Sequence, residues 1–311
     1  MRLIPTAAGL LACAAMCLAQ TPADPAAQQD PNTFKVDVNL VNIFVSVVDQ
    51  NGAPVGALGK GDFQLFEDGV KQNIAVFDRH SELPLSIVLA IDTSLSTHKD
   101  LQFELQSARA FVRSILRPVD ALALYQFSER VDELVKFTSD LKRIDRGIER
   151  VRVGAATALY DAIYLASRAL EDREGRKVLV LITDGGDTVS SVAYQEAVRA
   201  AQHAEAIVYS IIVVPIAASA GRNTAGEHAL IQLSADTGGK HYYAESMSQL
   251  DQAFRRISDE LRTQYLLAYY PSRRVAASDF RRIKVELTTP PDATGPLHAR
   301  HRSGYYTSKA E

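Results

Sequence analysis

The sequence predicts an α/β fold: a doubly wound, mostly parallel sheet inserted in a small all-β, sandwich-like unit built from both flanks. Three observations predict it. Apolar runs such as LSIVLAID (85–92) have the composition of central parallel strands covered on both faces. Between these runs, apolar residues recur at steps of three and four, the period of a helix lying on a sheet. Before residue 84 and after residue 263 the pattern becomes alternation broken by tight turns, the grammar of antiparallel strands. A chain of 311 residues, 47% hydrophobic and 23% charged, has enough apolar material for such a core. Its formal net charge of −3 gives no reason to expect nucleic acid or an anionic membrane as partner.

The first element is MRLIPTAAGLLACAAMCLAQ, with one arginine before small and apolar residues and a small-x-small cleavage site at Cys17-Leu18-Ala19. Residues 1–19 read as a secretory signal peptide, so the protein is expected in the periplasm, in the medium or at the cell surface. Two alternatives stay open at this end. The segment is retained as an anchor, or Cys13 in LLAC is a lipoprotein-like acylation site. No later stretch approaches the roughly 18 apolar residues of a membrane span. Both cysteines, Cys13 and Cys17, lie here, so cleavage after Ala19 leaves neither disulfides nor thiolate metal sites.

Residues 20–33, polar and rich in Pro and Ala, have no period that buries a face and read as a disordered linker. From 34 to 83, alternation through Val36, Val38 and Leu40, then turns at Asn51-Gly52 and Asp68-Gly69, give the N-terminal part of the β unit. The α/β domain is expected over 84–263. After the strand at 85–92, Leu101, Leu105, Ala108, Val112 and Ile115 share one helical face. ALALYQFS (121–128) and VDELVKFT (131–138), two residues apart, form an antiparallel hairpin. Helical spacing returns in Leu159, Ile163, Ala166 and Leu170. Buried strands end at Asp184 and Val214 with a helix at 192–204 between them, and KHYYAE follows the helix-stopping Gly238-Gly239. A last helix carries Leu250, Phe254, Ile257 and Leu261 on one side. Strands at 265–271, 281–289 and 298–308 complete the β unit over 264–308. Neither flank has enough strands alone, so the two are expected to pair.

The chemistry gathers where strands end. In open α/β sheets, ligands collect beyond the carboxyl ends of strands where the strand order reverses. Asp92, Ser94 and Ser96 spell D-x-S-x-S after the first buried strand, so that one carboxylate and two hydroxyls turn toward one point. Thr157 precedes a helix, and Asp184 in ITDGGD follows a second buried strand. Taken singly, each has a plain explanation: Asp, Ser and Thr after a strand cap helices and form turns, Thr157 caps a helix, and Asp184 opens a turn before two glycines. Taken together, hard oxygen donors with two charges and no His or Cys suit Mg²⁺, with Mn²⁺ or Ca²⁺ as alternatives. Such a set leaves the ion under-neutralised and open to an anionic ligand, which a carboxylate of a protein partner satisfies.

These residues, in this order, resemble the von Willebrand factor type A family with its metal-ion-dependent adhesion site, over roughly 84–263. The flanks, VDVNLVNIFVSVVDQNGAPVGALGKGDFQLFEDG before and YLLAYYP, FRRIKVEL and HARHRSGYY after, are similar to the VWFA-related proteins abundant in Acidobacteria. The resemblance implies a Rossmann-like fold with one antiparallel edge strand. It implies Asp92, Ser94, Ser96 and Thr157 near the ion, with Asp184 often acting through water. It also implies an exported, non-enzymatic adhesion module that captures a partner's carboxylate. Loops at 93–100, 154–158, 185–191 and 215–227 are expected to set selectivity.

Other chemistries fit less well. A phosphohydrolase of haloacid dehalogenase-like type also uses a strand-end Asp and later acids, here Asp184 and Asp187. It wants a second Asp where this chain has Ser94, which leaves no general acid. A metal-independent envelope scaffold is the remaining alternative. G-x-S-x-G and H-E-x-x-H are absent, and His98 is the only histidine near Ser94 or Ser96 in sequence and reads as a solvated loop residue. GALGKGD around Lys60 lacks the phosphate-loop spacing. HARHRSGYY with Arg281 and Arg282 reads as a solvated sheet face, and the paired tyrosines at 242–243, 269–270 and 305–306 as strand residues with one ring in and one out.

Overall fold

In chain order, alternating buried side chains form β1 (Val41–Val48), after which the Asp49 carboxylate accepts the N–H groups of Asn51 and Ala53, each at 2.8 Å. β2 (Phe63–Glu67) and β3 (Val70–Gln72) make a hairpin over Asp68-Gly69, and β4 (Ile74–Arg79) follows. The computed structural model describes residues 40–79, 82–95, 101–214, 224–272, 280–288 and 295–307. The expected signal peptide and linker lie outside the described residues, as do Ser96 and His98.

β5 (Leu85–Asp92) is buried along its whole length. α1 (Leu101–Ile115), β6 (Ala121–Phe127), β7 (Val131–Thr138), α2 (Leu141–Ile148) and α3 (Leu159–Glu171) come next. Then come β8 (Arg176–Thr183), α4 (Tyr194–His203), β9 (Ile207–Val213), α5 (Thr224–Asp236), β10 (His241–Ala244) and α6 (Met247–Thr263). The strands form a six-stranded sheet in the order β10-β9-β8-β5-β6-β7, parallel except for β7, which runs antiparallel to β6. Side chains of α1, α2 and α6 pack on one face, and those of α3, α4 and α5 on the other. Strand order reverses between β5 and β8, so the crevice of an open α/β sheet falls where Asp92 and Asp184 end their runs.

The chain closes with β11 (Tyr265–Tyr269), β12 (Phe280–Leu287), β13 (His298–Arg300) and β14 (Gly304–Tyr306). Two four-stranded sheets result, β13-β1-β11-β4 and β14-β12-β2-β3, and each mixes strands from before and after the six-stranded sheet. They share one apolar core that includes Ile43, Val45, Leu65, Leu267, Ile283 and Val285. Alternation places these side chains inward, and the rings of Phe63, Phe77 and Tyr265 cluster there, Tyr265 tilted against Phe63 at 5.0 Å and stacked on Phe77 at 6.0 Å.

A buried polar knot ties these sheets to the α/β layers. Glu260 of α6 accepts the Tyr209 hydroxyl of β9 at 2.7 Å and the Ser46 hydroxyl of β1 at 2.9 Å, and it pairs with Arg300 of β13. Two local readings are corrected, and one helix is new. Residues 298–308, expected as one strand, are two, because the chain leaves the sheet of β1 at Arg300 and joins that of β12 at Gly304. The loop expected over 215–227 contains the first turn of α5 from Thr224, while 215–223 lie outside the described residues. The unanticipated α2 is capped by the Asp140 carboxylate, which accepts the N–H groups of Lys142 and Arg143.

Candidate functional site

β5 delivers Asp92 into the sheet's carboxyl edge fully buried, with no exposed surface. Its Oδ2 accepts the Thr183 hydroxyl at 2.7 Å from the end of β8, and its Oδ1 accepts the Ser94 N–H at 2.9 Å. Burial pushes its carboxyl up to about 6 despite these bonds and one to the Ser94 hydroxyl, and the neighbouring Asp184 charge adds to the rise. The next residue, Thr93, turns the other way: its N–H and hydroxyl both donate to the Phe127 carbonyl, at 2.9 and 3.2 Å. Asp92 and Ser94, both buried, therefore share the side that Thr93 leaves.

The loop carrying Thr157 is laced to this corner. Gly154 N–H donates to the Thr93 carbonyl at 2.8 Å and Ala158 N–H to the Ser128 carbonyl at 2.6 Å. Gly154 has no room for a side chain, since a Cβ there would lie 2.2 Å from the Ser128 hydroxyl. Thr157 is itself buried, and its N–H donates to the Thr188 hydroxyl at 2.9 Å while its carbonyl accepts the Thr188 N–H at 2.8 Å. Asp184 is half-buried and followed by Gly185, whose φ of +88° is a left-handed turn that glycine adopts without strain.

Of the residues read from the sequence, Asp92 and Ser94 are in direct contact, Asp184 is near enough to act on Asp92, and Thr157 sits in the adjoining loop; Ser96 lies outside the described residues. Sequence reasoning missed Thr183. The matching carboxyl ends of two parallel strands bring it to Asp92, since Ile91 stands beside Ile182. Among the described residues no group of three or more His, Cys, Asp or Glu forms a metal-holding cluster, so a cation here depends on hydroxyls for most of its protein donors. The donor set fits a hard ion, with two carboxylates and buried Ser94 and Thr157. Asp187 is committed elsewhere: its carboxylate accepts the Tyr160 N–H at 3.2 Å and the Ser190 hydroxyl, at the entrance of α3. The loops at the crevice carry exposed apolar side chains: Leu95 (63% exposed), Val153 and Val189 (47% exposed).

An open sheet with helices on both faces, one antiparallel edge and acid and hydroxyl loops beyond β5 and β8 defines the class of this domain. Residues 87–187 match the family described as von Willebrand factor type A domain. Among solved structures, the von Willebrand factor type A protein from Catenulispora acidiphila is similar in fold at 10% identity, covering 86% of this chain and 75% of that one, with a TM-score of 0.51. Proximal thread matrix protein 1 from the mussel byssus is similar at 16% identity over 63% of this chain and 51% of its own, also with a TM-score of 0.51. BatB from Bacteroides thetaiotaomicron matches at 19% identity over 58% of this chain and all of its own, with a TM-score of 0.47. No curated protein matches the chain.

Proposed function

We propose that the protein is an exported, non-enzymatic binding module that holds a divalent cation, Mg²⁺ before Mn²⁺ or Ca²⁺, and through it the carboxylate of a protein partner. The observation that carries this reading is Asp92: a buried carboxylate that its own surroundings make costly to ionise, with a second carboxylate beside it. A cation repays that cost. When bound, it supplies a Lewis-acid bridge to an anionic ligand. Asp92, Ser94 and Thr157, with Ser96, would hold it, and Asp184 would orient water or bind directly. Thr183 and the Ser94 N–H fix the Asp92 carboxylate in one orientation. Leu95, Val153 and Val189 would give the partner an apolar rim beside the charged contact.

Within this reading the binding unit spans 84–263 and is carried by strands from 34–83 and 264–308, behind a leader at 1–19 and a linker at 20–33. Export rests on that leader; among the described residues no helix is long and apolar enough to cross a membrane. The test is titration calorimetry with MgCl₂ and MnCl₂, beside thermal melting in Mg²⁺ and in EDTA. Asp92→Ala and Asp184→Ala should each remove the Mg²⁺-induced rise in Tm. An equal rise in both variants would sink the metal assignment, and partner capture that persists in EDTA would favour a metal-independent scaffold.

A further inference from the structure

Thr157 is not the cap of α3. The N-cap is Ala158, which has no side-chain oxygen to offer the first N–H groups of the helix. A segment farther along the chain supplies the cap instead. The Ser190 hydroxyl accepts the Tyr160 N–H at 3.0 Å and the Asp161 N–H at 3.1 Å, and the Asp187 carboxylate accepts the Tyr160 N–H at 3.2 Å. The Asp161 carboxylate answers by accepting the N–H groups of Ser191 and Val192 at 3.0 and 2.8 Å. This is the reciprocity of a capping box, built between two loops rather than within one turn.

Thr188 stands inside this clasp and grips Thr157 itself. Its hydroxyl accepts the Thr157 N–H at 2.9 Å and donates to the Thr157 carbonyl at 3.3 Å, and that carbonyl also accepts the Thr188 N–H at 2.8 Å. With its N–H and C=O both engaged, Thr157 has its hydroxyl left to offer a ligand. The flanks of its loop are held as well. Ala155 N–H donates to the Glu129 carboxylate at 2.9 Å, and the Gly154 and Ala158 N–H groups donate to the carbonyls of Thr93 and Ser128. Thr188 follows Asp184 on the same loop, so the clasp also fixes the spacing between the loop of Asp184 and the loop of Thr157.

We infer that Thr188 is a positioning residue for the cation site: by clamping the Thr157 main chain it fixes where the Thr157 hydroxyl stands, and this rigidity selects Mg²⁺ over the larger Ca²⁺. The inference rests on the cation reading above. Mg²⁺ demands near-octahedral oxygen contacts of about 2.0–2.1 Å, whereas Ca²⁺ takes more ligands at about 2.3–2.6 Å in adaptable geometry. A loop that cannot retreat suits the first ion, and a loop that gives way suits the second. Thr188 is exposed, so replacing it disturbs no core packing and acts through the clasp.

The test is titration calorimetry of the whole chain with MgCl₂ and with CaCl₂, in the wild type, Thr188→Val, Thr188→Ser and Asp92→Ala. Thr188→Val keeps the shape of the side chain and the main-chain N–H but removes the hydroxyl. It should weaken Mg²⁺ binding by roughly tenfold and Ca²⁺ binding by clearly less. Thr188→Ser keeps the hydroxyl and should bind both ions as the wild type does. A second readout needs no metal. In EDTA the Thr157 amide should be protected from hydrogen exchange in the wild type and in Thr188→Ser, and should lose that protection in Thr188→Val. Equal weakening of both ions, no weakening of either, a Thr157 amide still protected in Thr188→Val, or a serine variant that behaves like the valine one would each overturn the inference and leave the cation reading standing. No Mg²⁺ binding in the wild type, or undiminished binding in Asp92→Ala, would overturn the cation reading itself and the selectivity with it.

Discussion

Thr183 and Asp92 stand on adjacent strands with the threonine hydroxyl donating to the carboxylate at 2.7 Å. Removing the donor leaves a buried carboxylate with less support, and the loss of a hydrogen bond to a charged group costs about 1.5–3 kcal/mol. Thr183→Val is therefore expected to lower stability by that order. Because the bond favours the ionised form, its loss pushes the Asp92 carboxyl further up, so Mg²⁺ affinity near neutral pH should fall as well. Calorimetric titration at pH 6 and pH 8 checks this: the deficit should be larger at pH 6.

Asp92→Asn should act in the opposite direction when no cation is supplied. The folded carboxyl titrates at about 6 against an ordinary value of 3.8, so folding favours the protonated acid. That contribution is whole below the ordinary value and is lost as pH rises through about 6. A gap of roughly two pH units corresponds to about 3 kcal/mol. In EDTA at pH 8, Asp92→Asn should melt above the wild type by up to that amount, and the advantage should shrink at pH 4.5. With Mg²⁺ the order should reverse. An asparagine variant that melts lower in EDTA at pH 8 would refute the argument.

The Glu260 knot predicts an asymmetry between single and double variants. Glu260→Ala leaves Arg300 without its carboxylate and Tyr209 and Ser46 without their acceptor. Breaking one partner of a buried pair costs about 3–5 kcal/mol. Glu260→Ala/Arg300→Met should recover part of that loss, and urea unfolding of the four combinations measures the coupling.

His301 makes the joint between β12 and β13 sensitive to acid. Its Nε2 accepts the Val285 N–H at 3.0 Å and its Nδ1 lies 2.8 Å from the Arg302 carbonyl, so both contacts suit the neutral ring with its proton on Nδ1. Burial holds the imidazole below its usual value of 6.5, and the Arg302 charge adds to this. The unfolded chain then binds the proton more readily, so this contribution to stability is present above about 6.5 and falls away as pH drops below it. His301→Gln keeps an acceptor for Val285 without titrating. Its urea midpoint should lose less than the wild type's between pH 7.5 and pH 5.

Much of the architecture was legible because the six-stranded sheet is covered on both faces. LSIVLAID and VDELVKFT are strands with the bounds read from the sequence, the first because its apolarity is continuous and the second because it is the return arm of a hairpin only two residues after ALALYQFS. The helix over Leu141–Ile148 went unseen: it buries only Ile144, Gly147 and Ile148, too few to give a period, although Asp140 was a visible cap. Residues 298–308 looked like one strand because local pattern says nothing about a change of sheet. At the site, Asp92, Ser94, Thr157 and Asp184 were legible as strand-end and loop residues. Thr183 was not, because its role depends on the register between β5 and β8, which only the tertiary pairing sets.

The pairing of β1 carries a consequence for how the chain is made. Its partners are β11 and β13, which begin at Tyr265 and His298, more than 200 residues after β1 starts at Val41. During synthesis β1 must wait with both hydrogen-bonding edges bare until the segments that begin at Tyr265 and His298 arrive. The six-stranded sheet in between can assemble while it waits, so nascent chains are most exposed to mispairing at their oldest strand. Ribosome-stalled or truncated chains ending before Gln264 should therefore be the aggregating species, and a chaperone that shields residues near Val41 should help this protein more than one that acts on the α/β layers.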